Sequence, residues 1–236
     1  MFEWFLSSTD TGAPGLERMR AQFGQMLDAG RHIFDTASNA FLGGTDLEVI
    51  RQDLFDTDKR INRAEQQIRR EIVVHASVHG TTEFPACLVL MSVVKDAERV
   101  GDYAKNIFDL AASTPHPPVG EHREQLVKLK DRISGMMATC REIYDARDRD
   151  GAAQLIREAQ EIEDVCDDHI HGLLAAERQV DLPAAYVLAY RYFKRATSHL
   201  RNIASSVIQP LDKLDFPSKP SETSEESEAE EEEVVE

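Results

Sequence analysis

"ERVGDYAKNI", residues 98–107, returns in altered form as "KRATSHLRNI", residues 194–203, and this repetition decides the fold. The two stretches share Arg99/Arg195, Asn106/Asn202 and Ile107/Ile203. "EFPA" (83–86) and "DLPA" (181–184) open the helices that carry them, with proline tolerated in a first turn. Around both copies apolar residues recur at i, i+3, i+4 and i+7, and no period-two run competes with them. The first helix is expected over about 15–42, with Leu16, Met19, Phe23, Met26, Gly30, Ile33, Ala37 and Phe41 in one stripe, ending at Gly43-Gly44. A second follows over about 46–78 and a third over about 84–112. The order then repeats at about 121–149, 152–177 and 183–209, with Gly151 as the break between the fourth and fifth. The expectation is an all-α fold, two tandem three-helix up-down bundles forming one elongated body. The first repeat is placed at 15–112 and the second at 121–210, joined by the proline-rich linker "STPHPPVG", 113–120.

Charge limits the partners. The formal net charge is −16, and residues 217–236 alone, with nine glutamates and one lysine, contribute −8 of it. So acidic a chain repels nucleic acid and anionic lipid. The run "ETSEESEAEEEEVVE", 222–236, has too little apolar surface to fold, so 217–236 is expected to be a disordered acidic tail. Cys87, Cys140 and Cys166 are odd in number and unevenly spaced, which suits a reducing compartment better than a disulfide framework. No stretch approaches the roughly 20 apolar residues of a membrane span, and "MFEWFLSS" lacks the basic start of a signal peptide. A cytoplasmic protein is expected. Phe2, Trp4 and Phe5 give the segment 1–14 a membrane-leaning composition, read as a packed terminus rather than an interfacial anchor.

The candidate chemistry lies in the third helix. At about 100° per residue, Leu90, Val93, Val94, Ala97, Gly101, Ala104, Ile107 and Phe108 share one apolar face. Glu98 and Asp102 lie about 40° apart on its edge, and Gly101 within it lets another helix approach closely. The second helix reads Leu54, Asp58, Ile61, Glu65, Ile68, Ile72 in steps of three or four. Asp58 and Glu65 thus occupy core-type positions, where an unpaired charge is costly. Asn62, one turn from Asp58, adds a neutral oxygen. If the two helices are neighbours, Asp58, Glu65, Glu98 and Asp102 converge and need a cation, protons or basic side chains to balance them. Hard oxygen donors suit Mg²⁺, Mn²⁺ or iron, and Zn²⁺ also fits. The competing reading is that Lys95, Arg99 and Lys105 neutralise the acids along a solvated face.

"KDAERVGDYAKNI", 95–107, resembles the signature helix of the PhoU family of phosphate-uptake regulators, in which D-x-E-R-x-G-D-x-x-x-N-I recurs. "DKRINRAEQQI", 58–68, is similar to the acidic helix that precedes it there. The resemblance covers about residues 15–210, the PhoU-like repeats. It implies a cytoplasmic helical protein, often dimeric, whose E/D-x-x-x-D motifs bind metal clusters on the bundle surface. It also implies a role in restraining a phosphate transporter and its sensor histidine kinase when phosphate is plentiful. The chain departs from the pattern at Asn62, which stands where a second acid is usual. It departs again at Lys194 and Ser198, which occupy the positions of Glu98 and Asp102, so the second site is expected to be lost or rebuilt.

Other groupings carry less. "EIEDVCDDHIH", 161–171, offers Glu163/Asp167, Asp167/His171 and Cys166/His169, but these point around more than one side of a helix and read as a solvated acidic face. His75 and His79 lack the intervening acid of H-E-x-x-H and read as helix-end histidines. Cys87 lies in an apolar run, where a thiol is inert. With no nucleophile and base set and no Glu-x-x-His pair, no enzyme is expected. The leading expectation is a regulator of phosphate uptake with one metal site, made of Asp58, Asn62, Glu65, Glu98 and Asp102. The alternatives are a metal-storage bundle or a cytosolic partner of a sodium- or proton-coupled phosphate transporter. Lys194 and Ser198 argue against storage, which gains nothing by discarding ligands.

Overall fold

The computed structural model describes residues 15–79, 83–176 and 180–214. The segment 1–14 and the acidic tail lie outside the described residues. Six α-helices follow one another among the described residues: α1 Gly15–Phe41, α2 Leu47–His79, α3 Phe84–Ser113, α4 Gly120–Ala146, α5 Arg149–Leu174 and α6 Pro183–Ile208. A 3-10 turn, Leu211–Lys213, closes the described chain. The order is two tandem three-helix bundles, as the repeat predicts. None of these helices is long and apolar enough to cross a membrane.

Periodicity places the core. Every residue of the α1 stripe is buried, and so is the whole α3 face from Leu90 to Phe108. On α2, Leu54, Ile61, Ile68 and Ile72 are buried. Within each repeat the third helix is the most engaged: α1 packs chiefly on α3, and α5 on α6. Contacts of α3 with α6 and of α1 with α4 join the repeats, leaving α2 and α5 on the outside.

Gly101 sits where α1, α2 and α3 meet. A Cβ there would lie 3.4 Å from Ile61 Cδ1 and 3.5 Å from Ile33 Cδ1, ordinary contact with no room beyond it. Gly101→Ala is therefore expected to hold or raise the melting temperature, because alanine favours a helix over glycine by about 1 kcal/mol. Gly101→Leu overpacks the seam and should cost about 1–3 kcal/mol. Thermal melts of the two variants check this; equal effects would show that the seam is loosely packed.

One boundary differs from expectation. The break between α4 and α5 falls at Arg147 and Asp148, not at Gly151, which lies in the first turn of α5. Arg147 takes the left-handed conformation (φ 54°), and Asp148 Oδ1 accepts from the Gly151 N–H at 3.0 Å as the cap of α5. A Cβ on residue 151 would meet that carboxylate at 2.4 Å. The glycine serves the cap and does not end the helix.

A polar joint crosses the seam between the repeats. Asp96 on α3 is buried and accepts from His199 Nδ1 at 2.7 Å and Asn202 Nδ2 at 3.1 Å, both on α6. A carboxylate acceptor requires the proton on Nδ1.

Candidate functional site

The structure brings the expected residues together between α2 and α3, in two pairs rather than one cluster. Asp58, Glu65 and Glu98 are only 6%, 7% and 8% exposed, so their charges require partners. Lys105 Nζ bridges the first pair, 3.0 Å from Asp58 Oδ1 and 3.1 Å from Asp102 Oδ1. Lys95 Nζ serves the second, 2.6 Å from Glu98 Oε2 and 3.9 Å from Glu65 Oε1. Arg69 approaches Glu65 at 3.2 Å, and Arg99 approaches Asp102 at 3.3 Å. Asn62 donates to Asp58 Oδ2 at 3.3 Å.

The lysines therefore do more than line a solvated face. Each is three residues from one acid on α3 and reaches across to an acid on α2. Burial works against the Lys105 charge, yet hydrogen bonds and attraction from Asp58 and Asp102 outweigh it and raise its pKa above the lysine value. The stabilisation it brings is complete below the usual lysine pKa of about 10.4 and is lost only as pH rises through the higher folded value.

Among the described residues no group of three or more His, Cys, Asp or Glu is arranged to hold a metal ion. Two features nevertheless fit a hard cation. Asn62 Oδ1 and Glu65 Oε1 are buried with no hydrogen-bond donor, since the Arg69 contact is an ion pair without an aligned N–H. The side chains of Lys95 and Lys105 are 38% and 26% exposed, so each has a path to solvent. An incoming cation would compete with two ammonium groups for the same oxygens.

The second repeat is built differently. Lys194, at the position of Glu98, pairs with Asp167 on α5. Arg201, at the position of Lys105, lies 3.3 Å from Glu163 Oε2. Since Lys105 and Arg201 are equivalent, Asp58 corresponds to Glu163 and Asn62 to Asp167, a register of α5 that periodicity did not supply. Ser198 donates to its own helix at Lys194 O. The "EIEDVCDDHIH" stretch is thus no uniform solvated face, because Glu163 and Cys166 are buried. Burial raises the Glu163 pKa, against the pull of Arg201, Ser198 and Lys194.

The remaining candidates are structural. His75 is buried at the end of α2 and pairs with Glu83. Burial raises the Cys87 thiol pKa and pushes those of Cys140 and Cys166 up to about 12, which leaves all three inert.

Comparison with known proteins agrees with this fold. Residues 23–111 match the family model for the PhoU domain. A phosphate-specific transport system accessory protein PhoU homolog from Synechocystis sp. is 22% identical over 162 residues, covering 64% of this chain and 70% of its own. The crystal structure of PhoU from Pseudomonas aeruginosa superposes with a TM-score of 0.70 at 20% identity, over 82% of this chain and 95% of that one. The phosphate transport system regulatory protein PhoU from Streptococcus pneumoniae gives 0.68 at 19% identity, over 85% and 95%. At these identities the structural likeness establishes the fold.

Proposed function

We propose that the chain, whose residues 23–111 match the family model for the PhoU domain, is a PhoU-family protein that regulates phosphate transport through a first repeat able to take a metal ion. The second repeat, on this reading, needs none. The observation that carries it is the contrast between the repeats. The first presents four carboxylates, Asp58, Glu65, Glu98 and Asp102, bridged across the helices by two lysines with a path to solvent and flanked by Arg69 and Arg99. The second has Lys194 and Arg201 fixed on its two acids. A bound Mg²⁺, Mn²⁺, iron or Zn²⁺ ion would supply positive charge and a rigid link between α2 and α3. The four carboxylates would hold it, with Asn62 Oδ1 as a neutral donor. Lys95 and Lys105 would turn outward and reverse the local surface charge, an electrostatic change a partner can read.

The partner on this reading is a phosphate transporter or its sensor histidine kinase, met at the membrane face by a cytoplasmic homodimer. The chain restrains it without catalytic turnover. Deleting the gene in the source organism should raise uptake of radiolabelled phosphate in phosphate-rich medium, and wild-type protein should restore the restraint. Uptake unchanged by the deletion would end the regulatory reading.

A further inference from the structure

We propose that an arginine-lined groove at the end of the bundle where α4 and α6 finish binds a carboxylate-rich peptide, and that its occupant is this chain's own acidic segment 222–236. The groove has two adjoining parts. One, of about 490 Å³, lies between α1 and α4 and presents Arg20, Arg141, Tyr144 and Arg147. The other, of about 200 Å³, shares Arg20, Tyr144 and Arg147 and is closed by Val89 of α3 and Val207 of α6. Three guanidinium groups from two repeats meet there, in a body that is itself acidic. Glu17 and Asp145 also line the groove. Arg20 holds Glu17 at 3.0 Å, and Arg141 holds Asp145 at 3.5 Å and Asp28. Arg147 makes no ion pair with any described residue and is exposed. A guanidinium carries five donors, so the paired arginines still have N–H groups to offer.

Chain path and charge identify the occupant. Val207 forms part of the groove wall, and Leu211–Lys213 packs against α3 four residues later. Residues 215–221 can span at most about 25 Å, enough to carry the following glutamates back along the wall they have just left. The segment 222–236 holds nine glutamates and no basic residue. Tethering makes the encounter intramolecular, which raises its effective concentration without new contacts. Exposed ion pairs contribute only about 0–1 kcal/mol each, so docking depends on their number and weakens in salt.

The test uses the full chain with Ser227→Cys carrying a nitroxide spin label; the three native cysteines are buried and stay unlabelled. At low salt the label should more than halve the backbone amide peak intensities of Ala21, Gln25 and Val89. Raising salt from about 0.1 M to about 1 M shortens the screening length from about 10 Å to about 3 Å and should restore them. Arg20→Gln with Arg147→Asp should also restore them, aspartate being tolerated in the left-handed conformation of residue 147. If that variant fails to fold, changing Glu230, Glu231, Glu232 and Glu233 to glutamine gives the same readout from the tail side. Undiminished groove peaks at low salt would overturn the proposal, as would broadening that survives either set of changes. Peaks that shift on adding inorganic phosphate but ignore the label would assign the groove to a free anion and equally overturn it.

Discussion

Replacing Glu98 and Asp102 together with alanine is expected to abolish stoichiometric binding of Mn²⁺, iron or Zn²⁺ by the chain. These two acids sit on the same edge of α3, and each stands opposite an acid of α2 across a lysine. Their loss leaves Asp58 and Glu65 with Lys105 and Lys95 still beside them, so a full ammonium charge remains for each remaining carboxylate. The loss in affinity should exceed the roughly 10–100-fold that follows removal of an outer-shell partner. Folding should suffer little, because the substitutions remove the acids themselves and leave Lys95, Arg99 and Lys105, all partly exposed, able to be hydrated. Calorimetry measures the binding, and a thermal melt confirms the fold. The converse change separates the competing cations from the ligands. Lys95→Ala with Lys105→Ala should tighten metal binding while lowering stability in metal-free buffer. Unchanged affinity in the Glu98 and Asp102 double variant would show that these carboxylates are lysine partners only.

A second expected result concerns gain of a site. Lys194→Glu with Ser198→Asp should create metal binding in the second repeat. In the wild type Asp167 and Glu163 are each matched by one cation, Lys194 and Arg201. The two substitutions leave four carboxylates facing the guanidinium of Arg201, and their repulsion should lower stability until a cation enters. At a metal concentration about 100 times the dissociation constant, linkage returns about 2.7 kcal/mol. For a chain of this size that corresponds to a rise of roughly 5–10 °C in melting temperature. Lys194→Ala alone should cost no more than about 1 kcal/mol, because Asp167 is partly exposed and can be hydrated. A double variant whose melting temperature ignores metal would show that α5 and α6 do not present these acids to one another.

Much of this was legible before the structure. The stripes of α1 and α3 and the edge positions of the acids follow from the 3.6-residue period, which fixes the face each residue takes; the internal repeat follows from the residues shared by 98–107 and 194–203, and the meeting of the α2 and α3 acids was conditional on those helices being neighbours. What the period cannot fix is how far one helix slides along another. For that reason the register of α5 against α6 stayed open, and so did the pairing of Lys194 with Asp167 rather than Glu163. Lys95 and Lys105 were visible as neighbours on their own helix, but their reach to Glu65 and Asp58 depends on the separation of α2 from α3. Asp96 is the leading acid of the D-x-E-R-x-G-D pattern, but nothing marks it as buried. It stands beside Lys95 and Glu98 in a charged run, and its partners come from α6, where His199 and Asn202 supply its donors. The break between α4 and α5 was misplaced because a left-handed arginine has no compositional mark, whereas Gly151 looks like one.

On the proposed reading the two repeats balance their acids differently, by a metal ion competing with lysine in the first and by Lys194 and Arg201 in the second. Anomalous diffraction from crystals of the wild-type chain soaked in Mn²⁺ tests it most directly. Manganese is expected beside Glu98 and Asp102 and not beside Glu163 and Asp167. Manganese at Glu163 and Asp167 with none at Glu98 and Asp102, or at neither place, would contradict it.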